Sequence, residues 1–186
     1  MAKSLLPTNE ALYPVPVVLV TCLDRKNGRA NPVTVAWCGI VASNPPQISV
    51  SIRPSRHSHN LIAKERQFTV NIPSADIIEK ADLCGIKSGK DTDKMSLCSF
   101  TGIPASKISA PMIKECPVNI ECVLKETIRL GSHDMFIGEV VAVHADDALL
   151  DRNGRIDYAK ARPFVFNGGE YWSLGSKIGS YGYSQK

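Results

Sequence analysis

Val118-Asn-Ile-Glu-Cys-Val-Leu-Lys-Glu-Thr-Ile-Arg-Leu130 reads in steps of two. Val118, Ile120, Cys122, Leu124, Ile128 and Leu130 share one side with Glu126, and Asn119, Glu121, Lys125, Thr127 and Arg129 share the other with Val123. That period belongs to a β-strand, whose successive side chains point to opposite faces. Gly131-Ser-His-Asp134 predicts a turn after it, and Met135 to Ala145 an antiparallel partner. Upstream, the apolar run Val15 to Leu23 meets Asn27-Gly28, a hairpin signal, before Pro32 to Trp37. Ser43-Asn-Pro-Pro46 then turns the chain into Gln47 to Ile52, apolar at 48, 50 and 52. These three strands are expected to form one antiparallel meander.

Between the strand groups the sequence predicts two short helices. Ser58 is placed to cap one running through Leu61, Ile62 and Glu65, after which Phe68 to Ile72 returns to strand. A second begins near Ser74, buries Ile77, Ile78, Ala81 and Cys84, and stops at Gly85. Lys87 to Lys94 is a polar loop of the kind that often carries function. Pro163 to Phe166 and Tyr171 to Leu174 supply late strands. Few helices among many strands predict a mainly β fold, a closed or partly closed barrel with helical insertions, rather than a parallel α/β sheet.

At 186 residues the chain is one domain, 1–186, long enough to bury a core without staples. With 44% hydrophobic and 22% charged residues it is neither disordered nor a disulfide miniprotein. A net charge of +4 suits a phosphorylated small ligand and is too slight for nucleic acid. Ala30 to Ile52 holds no charged residue over 23 positions, yet its prolines and asparagines forbid a membrane helix, so buried strand, turn and strand are expected. Six cysteines without a C-x-x-C pair support no zinc or iron-sulfur site, and no export signal opens the chain, so reduced thiols in a cytoplasmic protein are expected.

Several motifs fail on spacing. Gly85-Ile-Lys-Ser-Gly-Lys-Asp91 is too short for a P-loop and ends on Asp where a metal-binding hydroxyl belongs. No G-x-G-x-x-G or G-x-S-x-G occurs, and His57-Ser-His59 lacks a third metal ligand. What remains is an ordered series: Asn31-Pro-Val-Thr34-Val35-Ala36-Trp37, Ser43-Asn-Pro-Pro46, Ser51-Ile-Arg53-Pro-Ser-Arg-His57-Ser58-His-Asn60, Phe68-Thr-Val-Asn71, Asp93-Lys94, His133-Asp-Met-Phe136, Pro163-Phe-Val-Phe166 and Gly169 to Gly175. This series resembles the flavin reductase-like FMN-binding split-barrel family, in particular its flavoredoxin branch, from about residue 13 to 175, with 176–186 left as a tail that either wraps a partner or frays.

The resemblance implies a split β-barrel of Greek-key type binding FMN. It carries over Thr34, Val35 and Ala36 as backbone contacts to the isoalloxazine ring and Asn31 and Trp37 as side-chain contacts. Ser51, Arg53, Ser58 and Lys94 join the site, the last three meeting a phosphate's need for cations and hydroxyl or helix N-terminal donors. His133 and Phe166 are placed near the cofactor. Family members often carry threonine where this chain has Ser58, a change that keeps the hydroxyl. No catalytic side chain and no metal are implied, because the cofactor carries the chemistry. The expected activity is that of an NAD(P)H:flavin oxidoreductase and homodimer, passing two electrons from NAD(P)H through FMN. The alternatives are an electron carrier served by a redox protein partner, a flavin or heme binding module without turnover, and a pyridoxamine oxidase-like barrel.

Overall fold

The computed structural model describes residues 1–185. Its strands are β1 (Val15–Pro16), β2 (Val18–Asp24), β3 (Arg29–Val35), β4 (Cys38–Ser43), β5 (Pro46–Ile52), β6 (Gln67–Ile72), β7 (Gly102–Ile103), β8 (Met112–Ile113), β9 (Val118–Arg129), β10 (Asp134–Ala145), β11 (Phe164–Asn167) and β12 (Glu170–Ser173). The helices are α1 (His57–Glu65), α2 (Ile78–Ile86), α3 (Lys94–Leu97) and α4 (Tyr158–Ala161). Among the described residues no helix is long and apolar enough to cross a membrane.

Seven strands form one antiparallel sheet in the order β3-β2-β6-β9-β10-β5-β4. It curls around a core that draws Val20 and Cys22 from β2, Val33 and Val35 from β3, Val50 and Ile52 from β5, Phe68 from β6, Leu124 from β9, Phe136 from β10 and Ile62 from α1. The bond from the Ser51 N–H to the Trp37 carbonyl (2.9 Å) extends the β4-β5 ladder by one residue, so Ala36 and Trp37 alone carry the chain from the β3 edge to the β4 edge. That short link joins the two edge strands, which do not pair with each other in the sheet, so the barrel is split. A small sheet, β1-β11-β12, flanks that mouth.

The expected meander is corrected. Cys38 to Ser43 is a strand of its own, and the region forms two hairpins, β2-β3 and β4-β5, whose outer strands are the opposite edges of the sheet. β4 is apolar yet largely exposed, with Ile40 at 84%, so its composition disguised an edge as part of a buried turn. A second correction concerns Ser58. The N-cap of α1 is Arg56, and Ser58 lies inside the helix with its hydroxyl accepting from Asn31 Nδ2 at 2.7 Å. Ser74 does precede the second helical stretch, but a 3₁₀ turn over Ala75–Ile77 comes first and α2 runs one residue past Gly85.

β9 keeps its period, but its first half is covered on both faces. Asn119 and Glu121, on the polar side, are buried. The excursion between α3 and β9 lies over them: Glu121 accepts from the N–H groups of Ser106 (2.7 Å), Lys107 (2.7 Å) and Ile108 (3.1 Å), and its Oε1 is 2.7 Å from His144 Nε2. Burial works to raise the Glu121 pKa, but these hydrogen bonds outweigh it and hold the carboxyl down to about 2. A depressed carboxylate contributes stability that is present above its unfolded pKa and lost as pH falls through the folded value. Stability is thus expected to decline between about pH 5 and pH 2. Glu121→Ala, which empties a fully buried position and leaves three partly buried N–H groups without their acceptor, is expected to cost about 2–4 kcal/mol at neutral pH in a denaturant melt and to flatten that acid decline. A loss below about 1 kcal/mol would contradict this role for Glu121.

Candidate functional site

The barrel mouth holds a cleft of two parts that share Val33, Arg53 and Arg56. One part, a cavity of about 240 Å³, is apolar and is walled by the backbone run Thr34 to Trp37 together with Phe166 and Tyr171. The other is basic: Arg53, Arg56, Lys87 and Lys94 line it with Ser58 and the Ser88-Gly89 turn, and no carboxylate does.

Each wall has a local cause. The Thr34 hydroxyl donates to the Ala81 carbonyl of α2, so this side chain is spent on packing and β3 presents backbone to the cleft. Gly85 belongs to the same contact: a Cβ there would lie 3.3 Å from Thr34 Cβ. Trp37, 41% exposed, stands edge-to-face with His133, ring centroids 4.8 Å apart. Burial first, and then the charge of Arg53, keep the His133 pKa below its ordinary value, which favours a neutral ring able to donate one N–H.

Lys94 opens α3 beneath an Asp93 N-cap that accepts from the Met95 and Ser96 N–H groups. The cap turns Lys94 inward until only 3% of it is exposed. Its Nζ donates to the Cys84 carbonyl at 3.1 Å, and among the described residues it forms no ion pair. Burial lowers its pKa, and neighbouring Arg56 adds to that. A buried cation without an anion costs several kcal/mol and calls for a counter-charge from outside the chain.

The sequence-predicted residues thus divide between the two parts. Thr34, Val35, Ala36, Trp37, Ser51, Arg53, His133 and Phe166 line the apolar part, and Arg53, Ser58 and Lys94 the basic one. Asn31 does not line either; it sits behind the basic part, holding Ser58 and packed under Gly89, where an added Cβ would fall 1.6 Å from its Oδ1. Arg56, Lys87, Ser88, Gly89 and Tyr171 also line the cleft, though the sequence reading did not name them as candidates. The signal for Arg56 lay in the Arg53 to His57 cluster; for Lys87 to Gly89 it lay in the very stretch rejected as a P-loop. His57 faces Asp24 (3.2 Å) and His59 faces Asp134 (2.8 Å), so the two rings are turned to separate carboxylates. The described residues contain no cluster able to hold a metal ion.

A curled antiparallel sheet whose two edge strands are joined by the Ala36-Trp37 link but not paired, with a cleft lined by that link, defines a split β-barrel domain. The chain belongs to the flavin reductase-like family, whose domain model matches residues 11–175. It is similar to the flavoredoxin of Desulfovibrio vulgaris (TM-score 0.93, 34% identity, 100% of both chains) and to that of Methanosarcina acetivorans (TM-score 0.91, 31% identity, 100% of this chain and 98% of the other). An FMN-binding protein from Thermus thermophilus shares the fold at TM-score 0.80 and 26% identity, over 97% of each chain.

Proposed function

We propose that this chain binds FMN with its phosphate in the basic part of the cleft and its ring in the apolar part, and that it acts as an NAD(P)H:flavin oxidoreductase. The observation that carries the reading is Lys94, a buried ammonium with no acidic partner among the described residues, set in a lining of cations, hydroxyls and no carboxylate. FMN has the matching shape of charge, a dianion at one end and a flat ring at the other. Similarity to a protein named as FMN-binding and to two flavoredoxins supports it.

In this reading the bound flavin supplies the two-electron chemistry. Lys94, Arg53 and Arg56 neutralise the phosphate, and the Ser58 hydroxyl, already accepting from Asn31, turns its proton toward it. The Thr34 to Ala36 backbone offers N–H and C=O groups along the ring's polar edge. Trp37 and His133 flank the open side, where neutral His133 donates without adding charge. No side chain is needed as acid or base. The exposed β4 edge, with Ile40 and Val41 uncovered beside the mouth, favours a homodimer formed over it. Ile40→Lys is expected to shift sedimentation toward the monomer; an unchanged dimer would place the interface elsewhere. Six free cysteines, five of them buried, suit a reducing cytoplasm.

Anaerobic addition of NADH and then NADPH to the FMN-loaded protein tests the activity. Bleaching of the yellow band by one of them is expected. The second reading, an electron carrier reduced by a redox protein, draws on the likeness to flavoredoxins over the whole chain. It gains if neither nicotinamide bleaches the flavin while dithionite does.

A further inference from the structure

α2 and α3 meet behind the basic part of the cleft, where α2 brings Cys84 and the residue capping the C-terminus of α3 is Cys98. The Cys84 and Cys98 sulfurs are 3.8 Å apart, in a buried cluster with Leu19, Ala81 and Phe100. Lys94 ties the two residues together: its Nζ donates to the Cys84 carbonyl at 3.1 Å, and its own carbonyl accepts the Cys98 N–H at 3.1 Å. The segment between the cysteines contains Lys87, Ser88, Gly89 and Lys94, which line one side of the basic part.

We propose that Cys84 and Cys98 are a redox pair whose oxidation to a disulfide closes the 84–98 segment into a loop and slows release of the phosphate-bearing ligand. This rests on the FMN reading for its ligand, but the pairing rests on the cysteines' geometry. A disulfide needs the sulfurs to come together from 3.8 Å to about 2 Å. Side-chain rotation and a small shift of the short helix α3 supply that. Closing a loop of about fifteen residues removes open conformations of the segment, and with them the excursions by which the cleft wall would let a ligand escape.

The oxidant is a hydroperoxide, of which hydrogen peroxide is the form that arises when reduced flavin meets dioxygen. One cysteine, as thiolate, attacks a peroxide oxygen, breaking the O–O bond to give a sulfenic acid and, after protonation, water. The second sulfur displaces the sulfenic hydroxyl as a second water, forming the S–S bond. Two thiols are oxidised by two electrons while one peroxide is reduced to two waters. At rest Cys84 is held as the thiol, since burial pushes its pKa up to about 12. The reaction is therefore slow and proceeds when the turn at residues 87–91, exposed except at Gly89, opens.

The FMN-loaded protein is treated with hydrogen peroxide, denatured in alkylating reagent, digested and analysed by mass spectrometry. A Cys84–Cys98 linked peptide is expected, reversible by dithiothreitol, retained in Cys116→Ser and absent in Cys98→Ser. Oxidised wild type is expected to release FMN several-fold more slowly on dilution and to resist trypsin at Lys87 and Lys90. Alkylated Cys84 and Cys98 alongside oxidised methionines would overturn the pairing. A linked peptide with unchanged FMN release and unchanged tryptic cleavage would overturn the closure. Linkage and tryptic protection in a protein that never held FMN would instead count against the flavin reading alone.

Discussion

Replacing Arg53 and Lys94 together by alanine is expected to weaken FMN binding by about 10²- to 10⁴-fold, each charge-assisted phosphate contact contributing about 1.5–3 kcal/mol. The upper end applies if the two cations act independently, and the sharing of one phosphate pulls toward the lower. Lys94 allows a sharper form of the experiment. Its ammonium is buried without an acid, so Lys94→Met, which keeps the stem's volume, removes an unfavourable charge from the empty protein. The thermal midpoint without flavin is expected to hold or rise while FMN affinity falls by roughly tenfold or more. Wild-type retention of FMN by the double variant would remove the phosphate assignment.

Gly89→Ala is expected to have the next largest effect. An added Cβ would stand 1.6 Å from Asn31 Oδ1 and 2.7 Å from Asn31 Cγ. Asn31 cannot swing aside freely, because it is buried and its Nδ2 holds the Ser58 hydroxyl. The turn itself is tied down by Arg29 Nη2 donating to the Gly89 carbonyl at 3.2 Å. Either the turn lifts from the cleft or the Asn31–Ser58 bond breaks, and both damage the basic part. FMN affinity is expected to fall about 10- to 100-fold, a cost of roughly 1.5–3 kcal/mol, with little change in far-ultraviolet circular dichroism. Unaltered affinity would show that this turn is no part of the phosphate wall.

The barrel was legible where side-chain period and turn chemistry speak alone. β9 and β10 show in alternation, and Asn27-Gly28 marks the β2-β3 hairpin. β4 was not legible, because an exposed apolar edge has the composition of a buried strand and only its place in the sheet tells them apart. The buried polar face of β9 was hidden for a related reason: what covers Asn119 and Glu121 is an irregular stretch with no period of its own. At the cleft, the series from Asn31 to Phe166 led to eight of the apolar part's lining residues through resemblance. The part played by Asn31 needed coordinates, since a side chain that props a site carries the same letters as one that touches the ligand. Lys94 sits in a polar, glycine-containing stretch that reads as solvated, and its inward turn follows from the Asp93 cap acting on a four-residue helix.

Equilibrium titration of the flavin-free protein with FMN and, separately, with riboflavin tests the central claim most directly, since the two ligands differ only by the phosphate. The account predicts FMN binding at least about 100-fold tighter than riboflavin in the wild type, from two or more charge-assisted contacts, and a gap that largely closes in the Arg53→Ala, Lys94→Ala double variant. Equal affinity for FMN and riboflavin in the wild-type protein would contradict it.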